Sequence, residues 1–299
     1  MTLDKKANTW LTSKPTQKLF EVLGKDNARF VGGCVRNALL KQPVADYDIA
    51  TTHEPNMVVE KLKAAHISVH ETGMAHGTLT AVVDGAVYEI TTLRQDVSTD
   101  GRRATVKYTK DWTQDAHRRD FTINALYADI DGKVYDPTDQ GLDDIQIPKI
   151  RFIDSANTRI REDYLRILRF FRFNAWYCPD KPMDKDGLDA CRALQSGLKT
   201  LSAERVWAET KKLLGAPYPF RTVNVMGIGG ILDTILPEAS NSEGLQLLCA
   251  LEADRGFEVD PYLRLMAMAA RDELAMARLC KRLKLYNKDK LSMMDWAGD

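Results

Sequence analysis

Cysteine is scarce in this chain: there are five cysteines among 299 residues, scattered along the sequence. None of them forms a CxxC pair, which excludes the usual structural zinc sites and a disulfide framework. The sequence also has no run of about 18 uncharged apolar residues, and no apolar segment follows the lysines near the N-terminus. We therefore expect reduced, structural cysteines, no membrane segment, and a cytoplasmic or comparable aqueous compartment.

Excess charge of either sign is absent as well. The 42 basic and 42 acidic residues cancel, which argues against a protein that coats nucleic acid non-specifically. Positive charge is nevertheless concentrated locally, in the five arginines between 159 and 172 and in KRLKLYNKDK at 281–290. Such patches either hold a phosphate backbone or are solvated helix faces, and for the second patch a solvated face explains the charges at least as well.

The hydrophobic pattern changes near residue 150. Before it, short apolar runs and turn dipeptides predict strands and hairpins mixed with helices; after about 155 the spacing is helical. This indicates an α+β head of about 150 residues joined to an all-helical remainder. In the head we predict helices at 14–23, 34–41, 54–65 and 115–126, strands at 28–32 and 46–50, a hairpin of 78–83 with 87–93, a loop at 96–104, and a second hairpin across 131–132.

The segment FVGGCVRNALL (30–40) is a candidate phosphate cradle. Gly32 and Gly33 sit between a strand and a helix, where backbone amides can approach a phosphate and Arg36 can add charge. By itself, a Gly-Gly pair at this place is more often a plain tight turn.

The segment ADYDIATT (45–52) is a candidate metal site. On a strand, Asp46 and Asp48 point to the same side about 7 Å apart, and two such carboxylates suit a hard cation such as Mg²⁺. Glu89 supplies a third carboxylate if its strand lies beside the first. The alternatives are an exposed edge strand for the aspartates and an outward-facing acid for Glu89.

The segment DAHRRDFTINAL (115–126) joins arginines to polar residues. Arg118 and Arg119 can bind phosphate, while Asp120 and Asn124 can contact a ribose hydroxyl. An isolated RRD is also common surface charge.

The segment REDYLRILRFFRF (161–173) carries many charges for a buried helix. Asp163, Arg166, Arg169 and Arg172 recur every three residues, which on one helix forms a slanted row. A carboxylate beside a guanidinium offers an acceptor and donors, which match the Watson–Crick edges of cytosine and adenine and oppose those of uracil and guanine. The alternative is a simple intrahelical Asp–Arg pair.

Together these segments resemble the class II tRNA nucleotidyltransferases, the CCA-adding enzymes, of the polymerase-beta-like superfamily. The matching stretches cover about 28–214 and also include EITTLR with DGRRA, DPTDQGLDDI at 136–145 and SAERVWAETKKLL at 202–214. The resemblance implies a nucleotidyltransferase head (1–150) with a small mixed or antiparallel sheet, a helical neck that recognises the base (151–215), and a helical body (216–299) with a short or missing tail.

The resemblance also implies roles for individual residues. Asp46 and Asp48 are expected to carry Mg²⁺, with Glu89 as a further catalytic carboxylate. Asp163 and Arg166 are expected to act as the protein template for the base. The residues expected to contact the nucleotide are Gly32, Gly33, Arg36, Arg119, Asp120, Asn124, Asp163, Arg166, Arg169 and Arg172. The expected partners are tRNA, CTP and ATP, and the expected state is a monomer or homodimer.

Two features bear on the exact activity. The loop DVSTDGRRA (96–104) favours a full CCA-adding or A-adding enzyme over a CC-adding one, whereas ISVHETGMAHGTLTAV (67–82) has no lysine or arginine and disfavours poly(A) polymerase. An inert RNA-binding homologue is the alternative from another class. Asn37 stands where many members have Asp, so Arg36 is expected to lack a carboxylate neighbour.

Overall fold

The structure is a computed structural model that describes residues 1–99, 104–239 and 241–298. It divides into two compact units. The first comprises Met1–Ile147 and Arg151–Asp154, and the second comprises Pro148–Ile150 and Ser155–Asp299. The predicted α+β head followed by helices is confirmed as a fold class. The finer division into neck and body near residue 215 stays a prediction.

The first unit is built on a mixed seven-stranded sheet with the order β3-β4-β5-β2-β1-β8-β9. Only the β2–β5 pair is parallel among these described pairings. The strands are β1 (Ala28–Val31), β2 (Tyr47–Thr51), β3 (Ser68–His70), β4 (Thr78–Val83), β5 (Ala86–Thr92), β6 (Arg94–Thr99), β7 (Ala104–Tyr108), β8 (Tyr127–Ala128) and β9 (Val134–Tyr135).

Helices flank this sheet, and their ends follow local sequence signals. Ser13 accepts the N–H of Thr16 at the start of the first helix, which has proline in its first turn and ends at Gly24. The helices of this unit are α1 (Lys14–Leu23), α2 (Gly33–Leu39), α3 (Pro55–Ala64), α4 (Trp112–His117) and α5 (Gly141–Gln146). The predicted helices at 14–23, 34–41 and 54–65 are confirmed.

The hairpin of β4 and β5 is also confirmed. Its turn residues Asp84 and Gly85 have φ of 48° and 85°, the left-handed pair that favours a tight hairpin matching the strand twist. The parallel register then places Asp48 opposite Glu89 and Tyr47 opposite Tyr88. Because side chains alternate across a sheet, the two tyrosine rings, 5.6 Å apart, occupy one face and the two carboxylates the other.

Two predictions for this unit are wrong in part. The helix predicted over 115–126 stops at His117, and a 3₁₀ turn at Thr122–Asn124 follows an extended residue, Phe121. The extended path arises because Phe121 bridges Phe152, and these rings lie 4.8 Å apart. Of the loop predicted at 96–104, residues 96–99 and 104 belong instead to the paired strands β6 and β7, and residues 100–103 lie outside the described chain.

The second unit is helical throughout its described residues. Its helices are α6 (Ala156–Glu162), α7 (Leu165–Tyr177), α8 (Lys185–Leu194), α9 (Ala203–Leu214), α10 (Phe220–Ile228), α11 (Ile231–Ile235), α12 (Ser242–Arg255), α13 (Pro261–Met268), α14 (Glu273–Leu283) and α15 (Asn287–Gly298). None of the described helices is both long and apolar enough to cross a membrane. All five cysteines are buried, and no disulfide joins any two of them.

The single helix predicted over 161–173 is interrupted. The helix α6 ends at Glu162, and Asp163 is extended, with φ −155° and ψ 107°. The Asp163 carboxylate accepts the N–H of Leu165 at 3.1 Å, which satisfies a free donor at the start of α7. Asp163 therefore lies at the break, and the slanted row of four charges on one helix is wrong.

A buried ion pair joins the end of α9 to α12 and α13. Arg264 is 1% exposed and donates to Glu252 at 2.6 and 2.8 Å. It also donates to the carbonyl of Leu214, the last residue of α9, and to that of Ala216, two residues further along the chain. The guanidinium of Arg264 thus links α13 to α12 and to the end of α9.

We predict that Arg264→Met destabilises the protein by about 3–5 kcal/mol, because Glu252 is left as a buried charge without its partner. The midpoint of urea unfolding, followed by circular dichroism, measures this loss. The matched control is Arg255→Met, whose exposed pair with Asp254 at 3.1 Å contributes little. Equal midpoints for the two variants would contradict the prediction.

Candidate active site

The turn between β1 and α2 requires glycine at position 32. Gly32 has φ 70° and ψ −120°, a conformation that L side chains rarely adopt. A Cβ there would lie 3.6 Å from the carbonyl oxygen of Asn124 and 3.8 Å from Nη1 of Arg119, and a Cβ at Gly33 would lie 3.7 Å from Nη2 of Arg36. Two guanidinium groups therefore border an open backbone turn, which suits an anionic ligand.

Carboxylates meet beside this turn in the first unit. Asp48 on β2 is directly opposite Glu89 on β5, and Asp46 is an exposed residue just before β2, which begins at Tyr47. Burial raises the pKa of Asp48, and the charges of Glu89 and Asp46 raise it further, against the lowering effects of Arg119 and Arg36. Glu89 thus lies on the strand next to that of Asp48, as its predicted role requires.

The cluster fits a divalent cation that the family implies. Its donors are hard carboxylate oxygens, and their mutual repulsion is relieved by a cation. Within the described ranges, no group of three or more His, Cys, Asp or Glu side chains is already arranged as a metal site. Asp46 and Asp48, with Glu89 nearby, would therefore supply only part of a coordination shell, and the rest would come from water and phosphate oxygens.

Arg36 is held by amides. It is buried, donates to the side-chain oxygen of Asn37 at 3.0 and 3.2 Å, and donates to that of Asn124 at 2.5 Å. Asn124 in turn donates to Asp120 at 3.1 Å. Asn37 therefore offers Arg36 a neutral amide oxygen in place of the carboxylate that many family members have at this position. The amide accepts hydrogen bonds from Arg36 but does not neutralise its charge.

Arg118 and Arg119 converge on Asp115, which is 1% exposed. Burial alone would raise the pKa of Asp115, but Arg119, Arg118 and the Tyr127 hydroxyl outweigh it and hold that pKa well below its usual range. The same contacts raise the pKa of Arg119 despite its burial. Both arginines are therefore fixed, charged groups.

In the second unit, Asp163 and Arg166 each have a strong partner of opposite charge. Asp163 pairs with Arg205 of α9 at 2.7 Å. Arg166 donates to Glu162 at 2.6 Å and to the carbonyl of Arg159 at 3.0 Å. The predicted neighbours are thus joined to different residues, and Glu162, which had no predicted role, orients Arg166.

Arg169 and Arg172 lie near Glu209, a buried residue of α9. Arg172 donates to it at 2.6 Å, and Arg169 lies 3.9 Å from it. Arg172 also lies over the Phe173 ring, 4.3 Å from its centroid. One carboxylate of α9 therefore binds Arg172 and lies close to Arg169.

Sequence reasoning missed several of these partners. Asp115 precedes Arg119 by four residues, and Glu162 precedes Arg166 by four, so helical spacing was an available signal. Arg205 and Glu209 lie about forty residues from their partners, and local spacing contains no signal for such pairs.

Comparison with known proteins identifies the family of this chain. The Poly A polymerase head domain family matches residues 28–151, and the family described as the probable RNA and SrmB-binding site of polymerase A matches residues 182–243. The mouse mitochondrial CCA tRNA nucleotidyltransferase 1 is 36% identical over 286 residues, which are 94% of this chain and 65% of that protein. The chain belongs to the class II CCA-adding nucleotidyltransferase family.

Other members of this family show the same likeness. The CCA-adding enzyme of Streptococcus sanguinis is 37% identical over 77% of this chain and 56% of its own length. The structure of the Bacillus stearothermophilus CCA-adding enzyme in complex with CTP is 30% identical, with a TM-score of 0.69, over 95% of this chain and 66% of that one. The chain thus spans less than two thirds of the length of these relatives.

A Thermotoga maritima CCA-adding enzyme complexed with tRNA has a TM-score of 0.72 at 21% identity and supports the fold alone. Nucleotidyltransferases of this family generally use divalent metal ions. The individual site residues inferred from the sequence stay predictions.

We predict that Asp48→Asn raises the thermal midpoint at pH 7 by a few degrees, because it removes a charge whose ionisation is disfavoured by burial and by Glu89. A raised folded-state pKa destabilises the fold above that pKa, and the penalty vanishes as pH falls below the unfolded value of about 3.9. The gain should therefore shrink between pH 7 and about pH 4.5.

Differential scanning fluorimetry at both pH values measures this effect without added metal. Asp84→Asn is the matched control, since its exposed turn carboxylate lies 3.8 Å from Lys18 and outside the cluster. A lower midpoint for Asp48→Asn than for Asp84→Asn at pH 7 would contradict the repulsion described here.

Proposed function

We propose that this protein adds C, C and A to the 3′ end of tRNA, using CTP and ATP and releasing pyrophosphate without a nucleic-acid template. The observation that carries the proposal is the placement of Asp48 opposite Glu89 beside the Gly32 turn, whose border includes Arg119 and Arg36. These residues provide carboxylates for metal and cations for a triphosphate in one unit. The relatives, whose names include CCA addition, support the same activity.

The cation proposed for this site is Mg²⁺, held by Asp46 and Asp48 with Glu89 close to it. When bound, Mg²⁺ supplies charge neutralisation at the phosphates and makes a hydroxyl nucleophile more acidic. Arg36 and Arg119 hold the triphosphate at the glycine turn, and Asp120 with Asn124 is proposed for the ribose. These residues position the nucleotide, which is the main requirement of phosphoryl transfer.

Base selection is proposed for Asp163 and Arg166, supported by Arg169 and Arg172. A carboxylate oxygen has two lone pairs, so Asp163 can accept a base amino group while it keeps Arg205. The position of Asp163 supports this role: the residue lies between α6 and α7, in an extended conformation, and not on the regular surface of one helix. Arg205 and Glu162 fix the directions of the two side chains.

The RNA partner is supported by a groove in the second unit of about 650 Å³. The groove is lined by basic and aromatic side chains, a combination that suits phosphates and bases. Trp176 is 39% exposed at this groove and donates its indole N–H to the carbonyl of Lys212 at 2.8 Å. The lining residues are Arg172, Trp176, Tyr177, Ala208, Lys211, Lys212, Gly215 and Pro261.

The oligomeric state, monomer or homodimer, and the cytoplasmic compartment stay predictions. Three relatives of this chain are mitochondrial proteins, so fractionation of the source cell is the measurement that assigns the compartment.

The experiment for the function supplies labelled CTP and ATP, separately and together, to tRNAs that end before CCA, after C and after CC, with Mg²⁺. We expect two C additions followed by one A, and a loss of about a thousandfold in Asp48→Asn. Incorporation of neither nucleotide would favour an inert RNA-binding homologue. Addition of A alone, or repeated AMP addition to unrelated RNA, would favour an A-adding enzyme or a poly(A) polymerase.

We predict that Asp163→Ala lowers the preference for CTP over UTP by about ten- to a hundredfold, because the acceptor that matches the cytosine amino group is removed. Single-turnover incorporation of each nucleotide measures the ratio. The control is Asp180→Ala, which removes an exposed carboxylate paired with Arg221 in the same unit. An unchanged ratio in folded Asp163→Ala would show that the Asp163–Arg205 pair is only structural.

A further inference from the structure

Asp115 accepts five hydrogen bonds while almost completely buried. Its Oδ1 accepts the Nε–H of Arg118 at 2.7 Å and the backbone N–H of Arg94 at 3.2 Å. Its Oδ2 accepts Nη2 and Nε of Arg119 at 2.9 and 3.2 Å and the Tyr127 hydroxyl at 2.8 Å. Since a carboxylate has about four lone-pair sites, this group is saturated, which leaves no room for a metal ion or a transferred proton.

These bonds fix the orientation of Arg119. Asp115 holds the edge of the guanidinium formed by Nε and Nη2, and the hydroxyl of Tyr127 also accepts from Nε at 3.3 Å. The opposite nitrogen, Nη1, points toward the glycine turn, 3.8 Å from where a Cβ of Gly32 would lie. Within the described residues, Nη1 has no hydrogen-bond acceptor. The planar guanidinium of Arg119 is thus fixed along one edge by Asp115, and its remaining N–H donors face the turn.

We propose that Asp115 is a positioning residue for the nucleotide: it holds Arg119 so that Nη1 faces a phosphate bound at the Gly32 turn. This inference rests on the proposed function, which supplies the phosphate. Without the carboxylate, Arg119 would sample other rotamers, and phosphate binding would then include the entropy of ordering a long side chain. The bond to the N–H of Arg94 ties the start of β6 to the same carboxylate.

The isosteric variant Asp115→Asn tests the idea. The amide keeps the shape of the carboxylate but removes its negative charge. Its NH₂ group also places a donor against the donors that the carboxylate had accepted. Ordering a rotamer-rich side chain and losing a charged acceptor correspond to about a tenfold effect. We therefore expect the Kd for CTP, measured by isothermal titration, to rise about tenfold. The Kd for cytidine, which has no phosphate, should stay within about twofold, and kcat at saturating CTP should change less than KM.

A double-mutant cycle separates positioning from a purely structural role. If Asp115 acts through Arg119, adding Asp115→Asn to Arg119→Ala leaves the Kd for CTP unchanged, since the group that it positions is gone. The matched control is Asp111→Asn, which alters the acid that caps the same helix by accepting the N–H groups of Thr113 and Gln114. This control should keep the wild-type Kd for CTP even if its stability falls.

Tyr127→Phe is the milder variant for the case in which Asp115→Asn does not fold. It removes one of the five donors to Asp115 and one contact with Arg119, so a smaller rise in the Kd for CTP is expected. Wild-type affinity for CTP in whichever variant folds would overturn the proposal, as would equal weakening of CTP and cytidine or an additive effect in the cycle. Wild-type protein that binds no CTP would instead overturn the proposed function and this inference with it.

Discussion

The repulsion between carboxylates across the parallel pair β2–β5 is the constraint on which the candidate site depends. The register that places Tyr47 beside Tyr88 on one face also places Asp48 beside Glu89 on the other. One strand pairing therefore has two effects: it packs the tyrosine rings on one face of the sheet, and it concentrates negative charge on the other. An arrangement that raises the pKa of Asp48 lowers the stability of the fold, and this cost is understandable at a site proposed to bind a cation.

The arginines differ from the carboxylates in that each is already paired with a hydrogen-bond acceptor within its own unit. Each arginine proposed to meet the substrate is held by a fixed acceptor: Arg119 by Asp115, Arg36 by amides, and Arg166 by Glu162. A guanidinium retains its charge when it is hydrogen-bonded, and its unused donors remain directed. In the first unit, Arg36 and Arg119 are thus already ordered beside carboxylates that need a cation, and both features favour binding of a metal–triphosphate pair.

Much of this was predictable from the sequence, since turn dipeptides, glycine pairs and strand alternation act over a few residues. The hairpin at Asp84-Gly85 and the fold class were predicted correctly. The single helix over 161–173 was not, because the extended conformation of Asp163 is stabilised by Arg205, which is 42 residues away. The helix over 115–126 failed similarly, because Phe121 bridges Phe152. Tertiary contacts overrode local propensity in both cases.

We propose that Asp46 and Asp48 hold the catalytic cation next to the triphosphate at the Gly32 turn. The most direct test is a crystal structure of the protein with CTP and Mn²⁺, with data collected for the anomalous signal of manganese. We expect an anomalous peak in contact with Asp46, Asp48 and phosphate oxygens, with the triphosphate near Arg36 and Arg119. Manganese bound elsewhere, or CTP bound with its triphosphate away from the glycine turn, would contradict it.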